Sequence, residues 1–381
     1  RRLSEYKYRE MKWEHLVLKP TMVMKELDTL RPAFVLDRGL YSAPTKRVYP
    51  GTPEYVLPFP KELPENRLGL AQWLFEEANP LTARVAVNRY WQMIFGTGIV
   101  ATPEDFGSQG DLPSHPELLD WLAVDFSSNG WNVKQLLKLM VMSSTYKQTV
   151  LVSNEKLKKD PENRLLARGR QNRLPAELIR DHALTISGLL SDQVGGPSVM
   201  PYQPKGLWLQ VASGNQELKE YIQGHGPELY RKSIYTFWKR SLPPPSMLIF
   251  DGATREQCAV KRQSTSTPMQ ALVLLNDPQF VEASRLIAER MLLDGGNAPE
   301  ERIRFAFRLA TSRQPTDEEL NLLVDLLDEQ KQVFGGEPQR ARSLLSIGEY
   351  EVYDKLDLTE LAAYTVVANT IMNLSESILK G

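Results

Sequence analysis

Residues 79–95 read NPLTARVAVNRYWQMIF, and residues 114–128 read SHPELLDWLAVDFSS. Asn79-Pro80 has the form of an N-cap followed by proline at the first helical position, where a missing N–H costs nothing, and Gly96 can stop the run in a left-handed turn. Ser114 and Glu117 stand at the spacing of a capping box, in which hydroxyl and carboxylate each satisfy the other's free backbone N–H. Apolar residues then recur at helical rather than alternating spacing. Upstream, Asn66 can cap RLGLAQWLFEEA, and downstream Asn132 can cap VKQLLKLMVMSSTYKQ, after a stop near Gly130. The block decides the fold class: mainly α, an irregular but compact helical domain with a small β element.

Further along, residues 150–172 read as a polar crossing loop. RLPAELIRDHALTISGLL predicts a helix from Pro175 that ends before the Gly195-Gly196-Pro197 turn. Residues 197–231 read as irregular chain anchored by Tyr202, Trp208 and Tyr221. SIYTFWKR, residues 233–240, alternates β-forming residues and predicts a strand. Thr267-Pro268 and Asp277-Pro278 predict two successive helix starts, and Thr316 with Glu319 a second capping box for a helix running to Gly335. A last helix is expected over TELAAYTVVANTIMNLSESIL. Towards the N-terminus, prolines from Arg31 to Pro60 forbid helix and confine strand to an edge. The organisation expected is a tail of a preceding domain over 1–20, an extended arm over 21–64, and a helical domain over 65–381 with an irregular centre at 195–267. The β element is expected from residues 31–57 and 232–250.

The chain has 381 residues, 42% hydrophobic and 24% charged, the values of an ordinary globular protein with a sizeable core. A net charge of −1 supplies no global attraction to nucleic acid or acidic membranes, and neither is expected as a partner. A single cysteine, Cys258, excludes an internal disulfide, a cysteine-built zinc cage and a CxxCH haem attachment within these residues. The four histidines show no paired-ligand spacing, so no metal is expected. No apolar run approaches the roughly 20 residues of a membrane span. The opening RRLSEYKYREMKWE reads as the interior of a longer polypeptide.

Polar residues of specialised type crowd into 230–280, where Arg231, Arg240, Arg255 and Arg262 stand among aromatics and hydroxyls. Arg240, Asp251, Arg255, Arg262, Thr267, Gln270, Asn276 and Asp277 surround two helix starts, whose free N–H groups attract anions. That composition fits a sulfate, phosphate or uronate pocket, and fits as well an irregular buried loop satisfying its own backbone. Arg84 and Asn88, one helical turn apart, with Arg89 beside them, form a polar face for a carboxylate or sugar, or tie down the loop at Glu104 and Asp105. Glu177 and Asp181 share a helical face with Arg180 between them. They could act as an acid–base pair if burial separated them, or bond to arginines such as Arg170 and Arg173. His115 is a candidate base or a loop histidine bonded to a carbonyl. Cys258 is a candidate thiolate beside Arg255, Lys261 and Arg262, or a small buried apolar group.

Several long motifs resemble a planctomycete C-terminal domain-of-unknown-function family of the DUF1553 type. They are NPLTARVAVNRYWQMIFGTGIVATPEDFGSQGDLPSHPELLDWLA, GWNVKQLLKLMVMSSTYKQ, YRKSIYTFWKRSLPPPSMLIFDGATREQCAVKR and STPMQALVLLNDPQF. NRLLARG and the RLPAELIRDHALTISGLL helix belong to the same set, and the likeness extends from about Thr21 to the end. The positions that match the family's pattern include Arg84, Asn88, Arg89, Asp105, His115, Asp120, Arg180, Asp181, Arg240, Asp251, Arg255, Cys258, Arg262, Thr267, Gln270 and Asn276. Two motifs depart from it: Asp251-Gly252-Ala253 stands for the usual Asp-Ala-Pro, and Ser264-Thr265-Ser266-Thr267-Pro268 for the usual Arg-Thr-Asn-Thr-Pro. The resemblance implies an exported, extracytoplasmic, multidomain parent, with an uncharacterised domain and often a cytochrome c-like haem domain preceding this one. It fits an accessory module that binds polysaccharide or an anionic glycan, or docks the parent's other domains. A polysaccharide hydrolase with carboxylates among Asp105, Glu177, Asp181 and Asp251, and an electron-transfer partner for a haem c domain, are the alternatives. No cofactor is expected in the chain itself.

Overall fold

The computed structural model describes residues 22–27, 29, 31–211 and 220–380; the expected N-terminal tail lies outside them. The chain divides into two units, residues 1–86 and 87–381. In the first, β1 (Ala33–Leu36) and β2 (Pro44–Val48) form an antiparallel hairpin, so the β element expected from 31–57 is present. Its helix α1 (Arg67–Leu74) starts where Asn66 accepts from the N–H groups of Leu68 and Gly69. The Trp73 indole donates to the Leu57 carbonyl, which fastens the proline-rich arm to that helix. The division falls inside α2 (Thr82–Phe95), after Ala86.

The second unit is mainly helical. α3 (Pro116–Ser128) and α4 (Val133–Met142) pack an aromatic cluster in which Phe126 meets Tyr90 and Trp131 edge-on. The capping box expected at Ser114 does not form. Pro116 occupies the first helical position, His115 is the cap residue, and the Ser114 hydroxyl donates to the Ile99 carbonyl instead. Asn132 caps α4 as expected. Within the crossing loop a short α5 (Asn154–Lys159) forms on a Ser153 cap.

The main core is built on α10 (Pro278–Asp294), which packs against α6 (Ala176–Ser187), α9 (Pro268–Asn276), α11 (Pro299–Thr311) and α14 (Leu358–Met372). Asp277 caps it and Pro278 starts it. Every residue from Gln279 to Glu289 is buried, so this helix has no solvent face. Fully buried alanines, among them Ala283 and Ala288 in α10 and Ala362 and Ala363 in α14, leave room for close packing. α12 (Asp317–Gly336), started by the expected Thr316–Glu319 capping box, and α13 (Pro338–Leu345) close the bundle around α14. The last expected helix breaks at Asn373 into α14 and a four-residue α15 (Ser375–Ile378).

Residues 232–250 contain no strand. Ser233–Tyr235 is a 3-10 turn, and Pro245–Ile249 is a short helix, α8. Alternating β-formers cannot make a strand without a partner edge, and here the one contact of that type is an isolated bridge between Val199 and Thr236. A second helix in the irregular region, α7 (Leu207–Val211), buries Trp208 edge-on against Tyr221. The remaining sheet joins segments distant in sequence: β3 (Asn172–Arg173) pairs antiparallel with β4 (Leu379–Lys380). Among the described residues no helix is long and apolar enough to cross a membrane.

Candidate functional site

The irregular centre folds over one end of α6 and α10 and leaves a narrow cleft of about 20 Å³, room for one small group. Its floor is apolar, with Ala176, Met247, Phe250 and Phe280; its polar wall is Arg180, Asp277, Gln203, Thr236 and the hydroxyls of Tyr202 and Tyr221. Arg180 is fixed from every side. Its Nε donates to Gln279 at 2.5 Å, and its two terminal nitrogens donate to the carbonyls of Arg231 at 2.8 Å and Leu229 at 2.6 Å and to the Ser233 hydroxyl at 3.1 Å. Burial pushes its guanidinium down to about 10, with Asp181, Asp277 and Tyr221 pulling the other way. The arginine therefore ties α6 to α10 and to the irregular centre.

Asp277 is different. Its carboxylate accepts the Gln279 N–H at 3.0 Å as the cap of α10, and burial raises it above the ordinary carboxylate range, against the cap bond and Arg180. In the same lining, Gln203 Nε2 and Thr236 Oγ1 are buried without a hydrogen-bond partner among the described residues. Such atoms each cost about 1–3 kcal/mol unless something bonds to them. The Tyr221 hydroxyl donates to the Pro201 carbonyl, and burial raises the Tyr202 phenol to about 12.

Behind Tyr202 lies a buried polar line on α10. Glu282 Oε1 accepts from the Tyr230 hydroxyl at 2.9 Å, the Tyr350 N–H at 2.7 Å and the Tyr202 hydroxyl at 3.3 Å. Arg285 donates to Glu289 at 2.8 Å and to the Tyr350 carbonyl at 2.6 Å. Burial raises the Glu289 carboxyl above its ordinary range, although Arg285 opposes this. Gly348 holds φ +95°, and a Cβ there would meet the Glu282 carboxylate at 2.3 Å, so only glycine fits the turn that Glu282 fastens.

Of the polar site candidates read from sequence, Arg180 and Asp277 line the cleft, beside the expected anchors Tyr202 and Tyr221. Asp181 accepts the Ser233 N–H at 2.8 Å. Glu177 accepts from Arg262 at 2.7 Å; burial works against it, but Arg262 and Arg255 hold its carboxyl below the usual range. Arg255 lies over the Trp238 ring, 4.4 Å from its centre, so Glu177, Arg255 and Arg262 do come together, in a half-exposed cluster. Asp251 accepts from Arg173 at 2.6 Å and from Thr265, whose carbonyl and hydroxyl also take the Gln270 amide. Burial opposes, but Thr265 and Arg173 hold Asp251 below its ordinary range. Asn88 pairs through both amide atoms with the backbone of Val100, and Arg84 donates to the Pro80 carbonyl. Asp105 accepts the Gly107 N–H, His115 bonds to the Ser114 hydroxyl, and Asn276 donates to the Leu272 carbonyl. Arg89, Arg240 and Thr267 are exposed, as is Cys258, which is not the buried small group one reading expected. Among the described residues no three His, Cys, Asp or Glu side chains gather as metal ligands.

Of the cleft's polar residues, Asp277 reads in the sequence both as a helix cap and as the end of the polar ladder around the two helix starts, whereas Gln203 and Thr236 carry no motif. The signal available was Asp277-Pro278 next to a helix with no solvent face.

A family model described as Protein of unknown function (DUF1553) matches residues 66–327. The chain belongs to this family. No curated protein and no solved structure matches it. The DUF1553 match opens on the Asn66 cap of α1 and closes at Leu327 within α12, so it encloses every residue of the cleft.

Proposed function

We propose that the chain is an accessory, non-catalytic module whose central cleft takes a hydroxyl-bearing group of a polysaccharide. The observation that carries the reading is the pair of partnerless buried atoms, Gln203 Nε2 and Thr236 Oγ1, on side chains that line the same narrow cleft as Asp277. A hydroxyl both donates and accepts, so one such group can donate to Asp277 and accept from the amide. The apolar floor suits the C–H face beside it. The cleft is too narrow to close over a polymer, so a protruding arm of the glycan enters and the rest stays outside. Residence outside the cytoplasm, on a larger exported protein with a cytochrome c-like domain to dock against, belongs to the same proposal and has the motif resemblance as its support.

Hydrolysis by a carboxylate pair is the weaker reading. Glycosidases use two carboxyl groups about 5–10 Å apart, and Asp277 is the one carboxylate among the described lining residues. Asp181, Glu177 and Asp251 are held by arginine or backbone, and Asp105 closes a turn. Electron transfer to a haem c domain has the resemblance as its sole support.

The test is a binding screen of the purified chain against neutral, uronate-rich and sulfated polysaccharides, with Asp277→Asn and Thr236→Val alongside. Asparagine still caps a helix, so folding is retained. Binding to a neutral polysaccharide is expected to weaken about tenfold in each variant, the loss of roughly one hydrogen bond to a buried group. No neutral binding, or binding indifferent to both substitutions, would remove the reading.

A further inference from the structure

A second and wider cavity, about 270 Å³, lies elsewhere in the 87–381 unit. One wall is the end of α2 and the chain after α4. Phe95 meets Tyr146 edge-on there, with ring centres 6.1 Å apart at 84°, and Ile94 and Val150 extend the apolar surface. The opposite wall is the chain from Asn163 to Arg170. It is brought close by Gly169, whose N–H donates to the Thr149 carbonyl at 2.8 Å. A Cβ at 169 would stand 2.5 Å from the Gln148 carbonyl, so glycine is required for the two arginines flanking it to line the space.

Those arginines have neutral partners. Arg168 donates to the carbonyls of Asp160 and Pro161, and Arg170 donates to the Thr97 hydroxyl. No carboxylate lines the cavity among the described residues. Asp160 gives both carboxylate oxygens to the N–H groups of Arg164 and Leu165. Arg170 is lowered from the ordinary arginine range by burial and then by Arg164 and Arg168; Glu162, the one acid acting on it, is the smallest of these influences. Positive charge is thus gathered at an apolar cavity whose described lining holds no acid, Glu162 beyond it being the smallest influence on Arg170.

We infer that this cavity binds a ring-borne anion, the ring against Phe95 and Tyr146 and its carboxylate or sulfate at Arg168 and Arg170. Aromatic edges and aliphatic side chains suit the face of a six-membered ring, and planar guanidinium groups suit an oxyanion. The same chemistry is offered by a sugar acid and by an aromatic acid. The inference does not depend on the reading of the central cleft, since the two sites share no residue.

The experiment is an NMR titration of the whole chain with glucuronate, benzoate and glucose, following the amides of Tyr146 and Gly169, with Arg170→Gln and Arg170→Lys alongside. Glutamine can still bond to Thr97 and leaves no charged partner behind, so the unfolding midpoint should not move. Saturable shifts at both amides with either acid, weaker by about tenfold in Arg170→Gln and by less in Arg170→Lys, are expected for a charge-assisted contact. Shifts with one acid alone support the site and name its source. Asp277→Asn should leave these shifts unchanged, which separates this site from the cleft. The inference is overturned if neither acid shifts the two amides at millimolar concentration. It is equally overturned if glucose binds as well as glucuronate, or if Arg170→Gln binds the acids as tightly as the parent chain.

Discussion

Arg180 and Arg170 are both pushed below the ordinary arginine range, and burial is the first cause of each. What distinguishes them is the company. Arg180 has acceptors on all sides, with Asp181 and Asp277 favouring its charge. Arg170 has Arg164 and Arg168 acting against its charge and a single hydroxyl as a bonded partner. The first arginine is complete within the fold, and the second is complete only with an anion. Arginine as a residue type says neither; its neighbours decide.

The sharpest way to break the contrast is to remove Arg180. Arg180→Met fills a similar volume but leaves the Arg231 carbonyl and the Gln279 amide oxygen without their donor, and the Leu229 carbonyl with only the Gln279 Nε2 at 3.3 Å. Asp181 keeps its bond to the Ser233 N–H yet loses the nearby positive charge. Breaking a buried charged network from one side costs about 3–5 kcal/mol. Chemical denaturation should show that loss, and a change below about 1 kcal/mol would mean that the α6–α10 junction does not depend on this residue.

The fold was far more legible than the sites. Helix starts at Asn66, Asn132, Asp277 and Thr316 are local events, written in a cap and the few residues after it, and they form as the sequence predicts. Ser114 failed because Pro116 starts the helix two residues on and Ile99, distant in sequence, offers the hydroxyl an acceptor. Residues 233–240 failed as a strand for a related reason: a strand is a pair, and its partner edge is not local. The sites depend wholly on such long-range encounters. Gln203, Thr236 and Asp277 meet across 74 residues of chain, and no spacing rule joins them. Most of the conspicuous polar residues of 230–280 are instead taken up in holding that segment, Asp251 on Arg173 and Gln270 on Thr265.

A third arginine sharpens the comparison from the opposite side. Arg313 is raised above its ordinary range because Glu319 and Glu376 accept from it, and Glu319 is correspondingly pulled down to about 2, chiefly by Arg313. A carboxyl lowered in the folded state adds stability above its unfolded value, near 4.5, and loses it as the pH falls toward 2. Both side chains are about a third exposed, so the contribution is modest, up to about 1 kcal/mol at neutral pH. Unfolding free energy measured from pH 7 to 2 should fall for the parent chain. The fall should be smaller in Arg313→Met, whose Glu319 lacks its main partner, while other lowered carboxyls such as Asp251 titrate alike in both. Parallel curves would show that the pair adds nothing.

The smallest effect is expected where the sequence drew most attention. Arg262 stands in the densest polar stretch and matches the family pattern, yet its contact with Glu177 lies at the surface, with 45% of the arginine side chain exposed. An ion pair so placed contributes a few tenths of a kcal/mol. Glu177 would also keep part of its stabilisation through Arg255, which acts on it independently. Arg262→Met should therefore leave denaturation within about 0.5 kcal/mol of the parent. It should also leave neutral-glycan binding at the cleft and glucuronate shifts at Gly169 unaltered, since Arg262 lines neither site. If either binding were lost without a loss of stability, the ligand would reach across the 251–267 segment, and the Glu177 cluster would have to be counted as part of the site rather than as its support.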